Sequence, residues 1–212
     1  MTFKDFYEDL FKQVLLSLAW FVINSILLFT IFLGLTSGWY LIIIFPLFFI
    51  GPVFLTSLYG TNEISKNGKV AIKSLFIYFK NNFWRGFSVF IISIILYAIF
   101  IVDLRFFLIR GQENIWLLGF AFLFAYLLIY FSIYQAYLWG LLIIQGDKSL
   151  KEIFKNAVVI SLDNILFSLL WFLAIFLLTT VLFVIGIGIP AAFIGIVGLL
   201  IIQGSRAMLI KY

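Results

Sequence analysis

Four tyrosines in one apolar stretch are the residues best placed to do chemistry. Tyr126, Tyr130, Tyr134 and Tyr137 follow one another at spacings of four, four and three, with Ser132 and Gln135 among them, and on a helix those spacings put the phenols on one face. Tyr126 and Tyr130 lie midway between Trp116 and Trp139, at a depth where a phenol hydroxyl needs a partner. Two readings follow. In one, the stripe joins Gln135, and Asn24 of the first apolar stretch, in lining a pocket or pathway for a hydroxyl-rich or aromatic ligand. In the other, the hydroxyls bond neighbouring helices and the rings pack. In a chain that is 21% aromatic the packing reading comes first. Asn24 has the same two readings, and as interhelical glue its bond is worth about 0.6 kcal/mol.

Most other chemistries lack their residues. The chain has no Cys and no His, which removes thiol nucleophiles, disulfides, imidazole bases and the usual transition-metal ligands together. It contains no phosphate-binding GxxxxGK[ST] loop, no HExxH, no GxSxG elbow and no acidic pair at metal-ligand spacing on one helix. The Gly186-Ile187-Gly188 turn is followed by no Asp. Neither an enzyme nor a bound cofactor or metal is expected. Asp103 and Arg105 mark one end of the third apolar stretch and Asp163 one end of the fifth. An ion-coupled carrier, which places charge at mid-membrane, is therefore disfavoured.

The elements that must position these side chains follow from hydropathy. With 65% hydrophobic and 11% charged residues and a mean hydropathy of +1.22, the chain has more apolar surface than one aqueous core can shelter, so the solvent is lipid. Six apolar stretches, at 14–35, 39–59, 87–102, 115–144, 165–185 and 189–210, suit a hydrocarbon core of roughly 30 Å, which takes about 20 helical residues. Each must be helical to satisfy its own backbone, and none alternates as a barrel strand does. The first two stretches are separated only by residues 34–38, and the last two only by the Gly186, Gly188 and Pro190 segment. Both pairs are therefore expected as antiparallel hairpins. The N-terminal segment mixes acids and bases and shows no small-residue cleavage site, so it is expected to be retained.

Basic residues set the expected orientation. Lys4, Lys12, Lys66, Lys69, Lys73, Lys80, Arg85, Lys148, Lys151, Lys155, Arg206 and Lys211 fall on one side of this arrangement, against Arg105 and Arg110 on the other. The positive-inside rule places both termini and the two long connections in the cytoplasm, and Trp39, Trp116, Trp84 and Trp139 fit aromatic belts at the two interfaces. The same rule accounts for the net charge of +5 without nucleic acid.

An internal repeat is present. Residues 73–81 read KSLFIYFKN and residues 148–156 read KSLKEIFKN, six identities in nine positions, and GLLIIQG occurs at 140–146 and again at 198–204. A weaker third copy ends in Phe11-Lys12-Gln13. The expected fold is an all-α membrane protein of about six transmembrane helices, one polytopic domain over 1–212. It is built from three parallel repeats of an amphipathic helix plus a helical hairpin, at roughly 1–60, 70–146 and 147–212. The amphipathic faces are Phe3, Phe6, Tyr7, Leu10, Phe11; Ile72, Leu75, Phe76, Phe79, Phe83; and Leu150, Ile153, Phe154, Ala157, Val158. Such helices are expected to lie flat at the headgroups with Lys73, Lys80, Lys148, Lys151 and Lys155 reaching water and anionic lipid. Docking to a cytoplasmic partner is the second reading. Small residues in the last stretch, Gly188, Ala191, Ala192, Gly195 and Gly198, offer close helix contact.

These residues resemble the YesL-like family of bacterial membrane proteins, a domain of unknown function. The resemblance rests on Phe45-Pro46 and Ile50-Gly51-Pro52, on Phe79-Lys80-Asn81-Asn82-Phe83, on residues 137–142 (YLWGLL) and on residues 149–157 (SLKEIFKNA). It implies a multi-pass protein of the bacterial plasma membrane, associated with carbohydrate uptake, and it supplies no catalytic residue and no substrate. The leading expectation is an accessory subunit that contacts a transporter subunit or a cytoplasmic partner. The alternative is a small-solute transport or binding subunit whose pocket contains the fourth-helix tyrosines.

Overall fold

The computed structural model describes residues 3–186 and 188–209, with side chains from residue 8 onward. The expected apolar face of Phe3, Phe6 and Tyr7, the charges of Lys4 and Lys211, the middle residue of the Gly186-Ile187-Gly188 turn and the end of the last stretch at Ile210 lie outside the described residues and side chains. The described residues form helices α1 (Phe3–Ser37), α2 (Leu41–Asn67), α3 (Ile72–Arg110), α4 (Ile115–Ile144), α5 (Leu150–Asp163), α6 (Ile165–Val184), α7 (Gly188–Ala192) and α8 (Gly198–Leu209). A π-helical segment, Phe193–Val197, joins α7 to α8 into one span. No strand occurs among the described residues.

Six of these stretches are long and apolar enough to cross a bilayer, ending with Gly188–Leu209. This is an all-α, multi-pass membrane protein. Phe29, Ile101, Leu170 and Phe183 are exposed on the spanning helices, as side chains solvated by acyl chains should be.

The amphipathic segments behave in two ways. At α1 and α3 they are the first turns of the spanning helix itself, without a break, so these helices run to 35 and 39 residues. At 1.5 Å per residue that is about 52 and 58 Å, well beyond the roughly 30 Å hydrocarbon core. Only the third copy is a separate helix, α5, which ends where Asn164 leaves helical geometry (φ −131°, ψ 56°). The repeated KSL motif starts these helices differently for a local reason. Ser149 and Glu152 form a reciprocal capping box that fixes the start of α5. The matching Ser74 is followed three residues later by Ile77 and bonds back to Ala71 O, so α3 begins earlier, at Ile72.

The spans close into a bundle. α1 packs on α2, α2 on α3, α3 on α4 and α4 on α8, while α7 and the π segment return to α1; α6 lies outermost. Glycines set the closest crossings. A Cβ on Gly51 would lie 2.4 Å from Gly86 O, and one on Gly86 would lie 2.8 Å from Pro52 Cα, so α2 and α3 touch backbone to backbone. The two GLLIIQG copies supply the others: Gly140 of α4 faces Ser205 and Ile201 O of α8, and Gly204 of α8 receives the Trp171 ring of α6.

The basic segments meet at one end of the molecule. Arg85 donates to the carbonyls of Gly146 and Lys148, joining the start of α3 to the α4–α5 turn. Lys12 donates to Gly68 O, whose positive φ of 64° closes the C-terminus of α2, and Arg206 of α8 donates to Asn62 Oδ1 at 3.0 Å. The two long connections and the described ends of the chain therefore share one face of the bundle. Arg110, bonded to Glu113 at 3.3 Å, marks the other end.

Candidate functional site

The tyrosine stripe turns toward α5, α6 and lipid. Tyr126 is 55% exposed on the lipid-facing side of α4. Tyr130 shares a hydrogen bond of 2.9 Å with Ser161 of α5, and Tyr137, fully buried, shares one of 2.9 Å with Ser168 of α6 while its ring lies 4.6 Å from that of Trp171. Tyr134 is buried between Phe131 and Phe154. The structure thus uses these phenols as ties between the second and third repeat units. Ser132, on another side of α4, accepts from Tyr97 of α3 at 3.0 Å.

Asn24 and Gln135, by contrast, come together. Both line a partly open cavity of about 340 Å³ among α1 to α4, whose remaining walls are Trp20, Ile50, Phe54, Phe90, Ser93, Ile94, Tyr97 and Trp139. Its volume is at the small end of the range for ligand sites, roughly 300 to 1,000 Å³. Ile50 and Phe54 wall it from α2, and Phe90, Ser93, Ile94 and Tyr97 from α3. Trp20 and Asn24, four residues apart on α1, close it from the first helix, and Gln135 and Trp139, four apart on α4, from the fourth.

Within these walls the polar groups divide into engaged and unengaged. Asn24 donates to Trp20 O at 2.9 Å, Ser93 to Val89 O at 2.6 Å and Tyr97 to Ser132, so these three are held by the protein. Three buried polar atoms have no hydrogen-bond partner among the described residues: Trp20 Nε1, a donor, and Gln135 Oε1, an acceptor, on residues of this pocket, and Gln13 Oε1 away from it. Buried polar atoms are satisfied in the large majority of cases, and two of these three exceptions belong to residues that line the same pocket. Neither Lys, Arg, Asp nor Glu lines it.

Trp20, Ser93 and Tyr97 belong to this site without having been picked from the sequence. The available signal was depth: Trp20 sits inside a span, away from the interfacial belts, and Ser93 and Tyr97 are polar residues within an apolar stretch. Trp20 also lines a second, apolar groove of about 300 Å³ between α1, α2 and the first turns of α3, and its ring stacks on Phe193 of the π segment at 5.2 Å. That segment has its own polar ties: Gly195 N–H donates to Ser17 Oγ at 3.0 Å, and Thr61 Oγ to Ile194 O at 3.3 Å.

Lys73, Lys80, Lys148, Lys151 and Lys155 all lie at the basic end, on the first turns of α3 and on or beside α5. Among the described residues no three His, Cys, Asp or Glu side chains group closely enough to hold a metal ion. No family model, curated protein or solved structure matches the chain. Of the Ile50-Gly51-Pro52 sequence, Ile50 lines the cavity, while Gly51 and Pro52 meet Gly86 of α3.

Proposed function

We propose that this protein is a small-solute-binding membrane subunit and that the cavity between α1 and α4 is its binding site. One observation carries the proposal: four polar side chains, Asn24, Ser93, Tyr97 and Gln135, from three different helices line one pocket of about 340 Å³ within the spans. In this reading the fourth-helix tyrosines hold the third repeat against the second and take no part in binding. By the positive-inside rule the basic end, with both termini, faces the cytoplasm of a bacterial cell.

The test is native mass spectrometry of the protein released from mild detergent. The wild type is expected to carry one small molecule per chain, and Ser93→Phe, which fills the cavity from α3, to carry none. A wild type with the bare mass of the chain, or a Ser93→Phe variant that keeps its adduct, overturns the assignment.

A second reading is supported by the gathering of Lys73, Lys80, Lys148, Lys151 and Lys155 at one end. Here the chain is an accessory subunit whose basic face contacts a transporter component, and the link to carbohydrate uptake comes from the family resemblance. Stoichiometric co-purification of another membrane protein, lost when the five lysines are changed to Gln, supports it; a lone chain in both cases rejects it.

A further inference from the structure

Beyond the cavity, we infer that the protein holds one anionic phospholipid, with an acyl chain in the apolar groove between α1, α2 and the first turns of α3 and its phosphate between Lys73 and Lys80. The groove suits a hydrocarbon chain rather than a polar ligand. On α1 its wall runs from Leu16 through Ala19 and Trp20 to Ile23, about 10 Å along the axis of a spanning helix, so it follows a span as an acyl chain does. Its two hydroxyls, on Thr56 and Ser57, donate to Pro52 O and Val53 O of their own helix, each at 2.9 Å. No acid or base lines it.

The charges lie at its edge. Ile72, Leu75, Phe76 and Phe79 form the α3 wall, and Lys73 and Lys80 stand three residues before and four residues after Phe76, one turn to either side on the same flank of the helix. Both lysines are exposed. The described acid side chains of α1 and α2 are engaged elsewhere: Glu8 and Asp9 pair with Lys12, and Glu63 accepts from Asn67. Among the described residues no acid pairs with Lys73 or Lys80. An anionic headgroup is the countercharge that a membrane supplies at this level, and two ammonium groups on flexible stems can converge on one phosphate.

The internal repeat sets this face apart. Ile72, Phe76 and Ile77 occupy the positions that Asp147, Lys151 and Glu152 hold in the third copy, and all six are exposed. Both copies keep the two lysines, which are Lys148 and Lys155 in the third. The copy beside the groove is therefore apolar where its counterpart is charged. A second copy of the chain docked symmetrically on this face would set the lysines against their own equivalents, so the occupant is lipid and not a twin.

The test is a lipid competition read by native mass spectrometry, in which delipidated protein is given equal amounts of phosphatidylglycerol and phosphatidylcholine with the same acyl chains. One phosphatidylglycerol per chain is expected to persist, preferred on the order of tenfold, as two lysines at an anionic headgroup give. Lys73→Gln with Lys80→Gln should erase the preference. Ala19→Phe, which fills the groove from an exposed position of α1, should remove the bound lipid. Lys148→Gln with Lys155→Gln takes the same charge from the third copy and should keep lipid and preference alike. Equal retention of the two lipids by the wild type, or an equal loss of preference in the two lysine pairs, overturns the anionic site. Lipid retained by Ala19→Phe overturns the groove as its seat. Ser93→Phe should leave the lipid bound, which separates this result from the test of the cavity.

Discussion

At the scale of single residues, the α4 tyrosines separate two roles that share one chemistry. Tyr137 and Ser168 are both fully buried and bonded to each other, so Tyr137→Phe leaves a serine hydroxyl in the core without its partner. The expected loss is about 1 kcal/mol, read as a lower midpoint of thermal unfolding in detergent. Tyr126→Phe, on an exposed position, should leave that midpoint unchanged. Neither Tyr126→Phe nor Tyr130→Phe should alter ligand binding, since neither residue lines the cavity; a loss of binding in either would return the stripe to the site. The spacing that puts the tyrosines on one face was legible from the sequence, and so was the preference for packing. What spacing alone does not contain is the direction of that face, which depends on where α5 and α6 dock. Asn24 and Gln135 were legible as polar residues inside apolar stretches, yet nothing in the linear order joins residue 24 to residue 135. Their meeting depends on how α1 to α4 pack into one bundle.

At the scale of elements, the crossing of α2 and α3 at Gly51 and Gly86 is the most sensitive point of the bundle. Gly86→Ala would press a methyl group against Pro52 Cα, backbone that does not yield, and a cost of about 1 to 3 kcal/mol is expected. Gly119→Ala, with open space around it, is the matched control and should be neutral or slightly stabilising. The start of α5 offers a pH-dependent test. The backbone N–H and the hydroxyl of Ser149 bond the Glu152 carboxylate and hold its pKa below the usual carboxylate range. A lowered folded-state pKa means that the contribution is present above the unfolded value and lost as pH falls through the folded one. Protection of the Glu152 and Ile153 amides, taken relative to the intrinsic exchange rate at each pH, should therefore fall as the carboxylate is protonated at acid pH. In Glu152→Gln it should lose that dependence. Six spans, their order and the break before α6 were all readable from hydropathy. The continuity of the amphipathic segments with α1 and α3 was not, because an apolar stripe running into a wholly apolar stretch has the same pattern with or without a bend.

At the scale of the whole molecule, the described basic segments share one face, tied together by Arg85, Lys12 and Arg206. The absence of native cysteine makes the topology directly testable. In intact cells an impermeant maleimide should leave Lys73→Cys and Lys151→Cys unlabelled and should label Gln112→Cys, with the first two becoming reactive once the cells are opened. The reverse pattern would invert the protein. Because no acid or base lines the cavity, filling it with a neutral molecule moves almost no charge through the transmembrane field, where each elementary charge is worth about 2.3 kcal/mol per 100 mV. The protein should thus be electrically silent. A potassium diffusion potential imposed on proteoliposomes, of either sign, should leave occupancy of the site where it was.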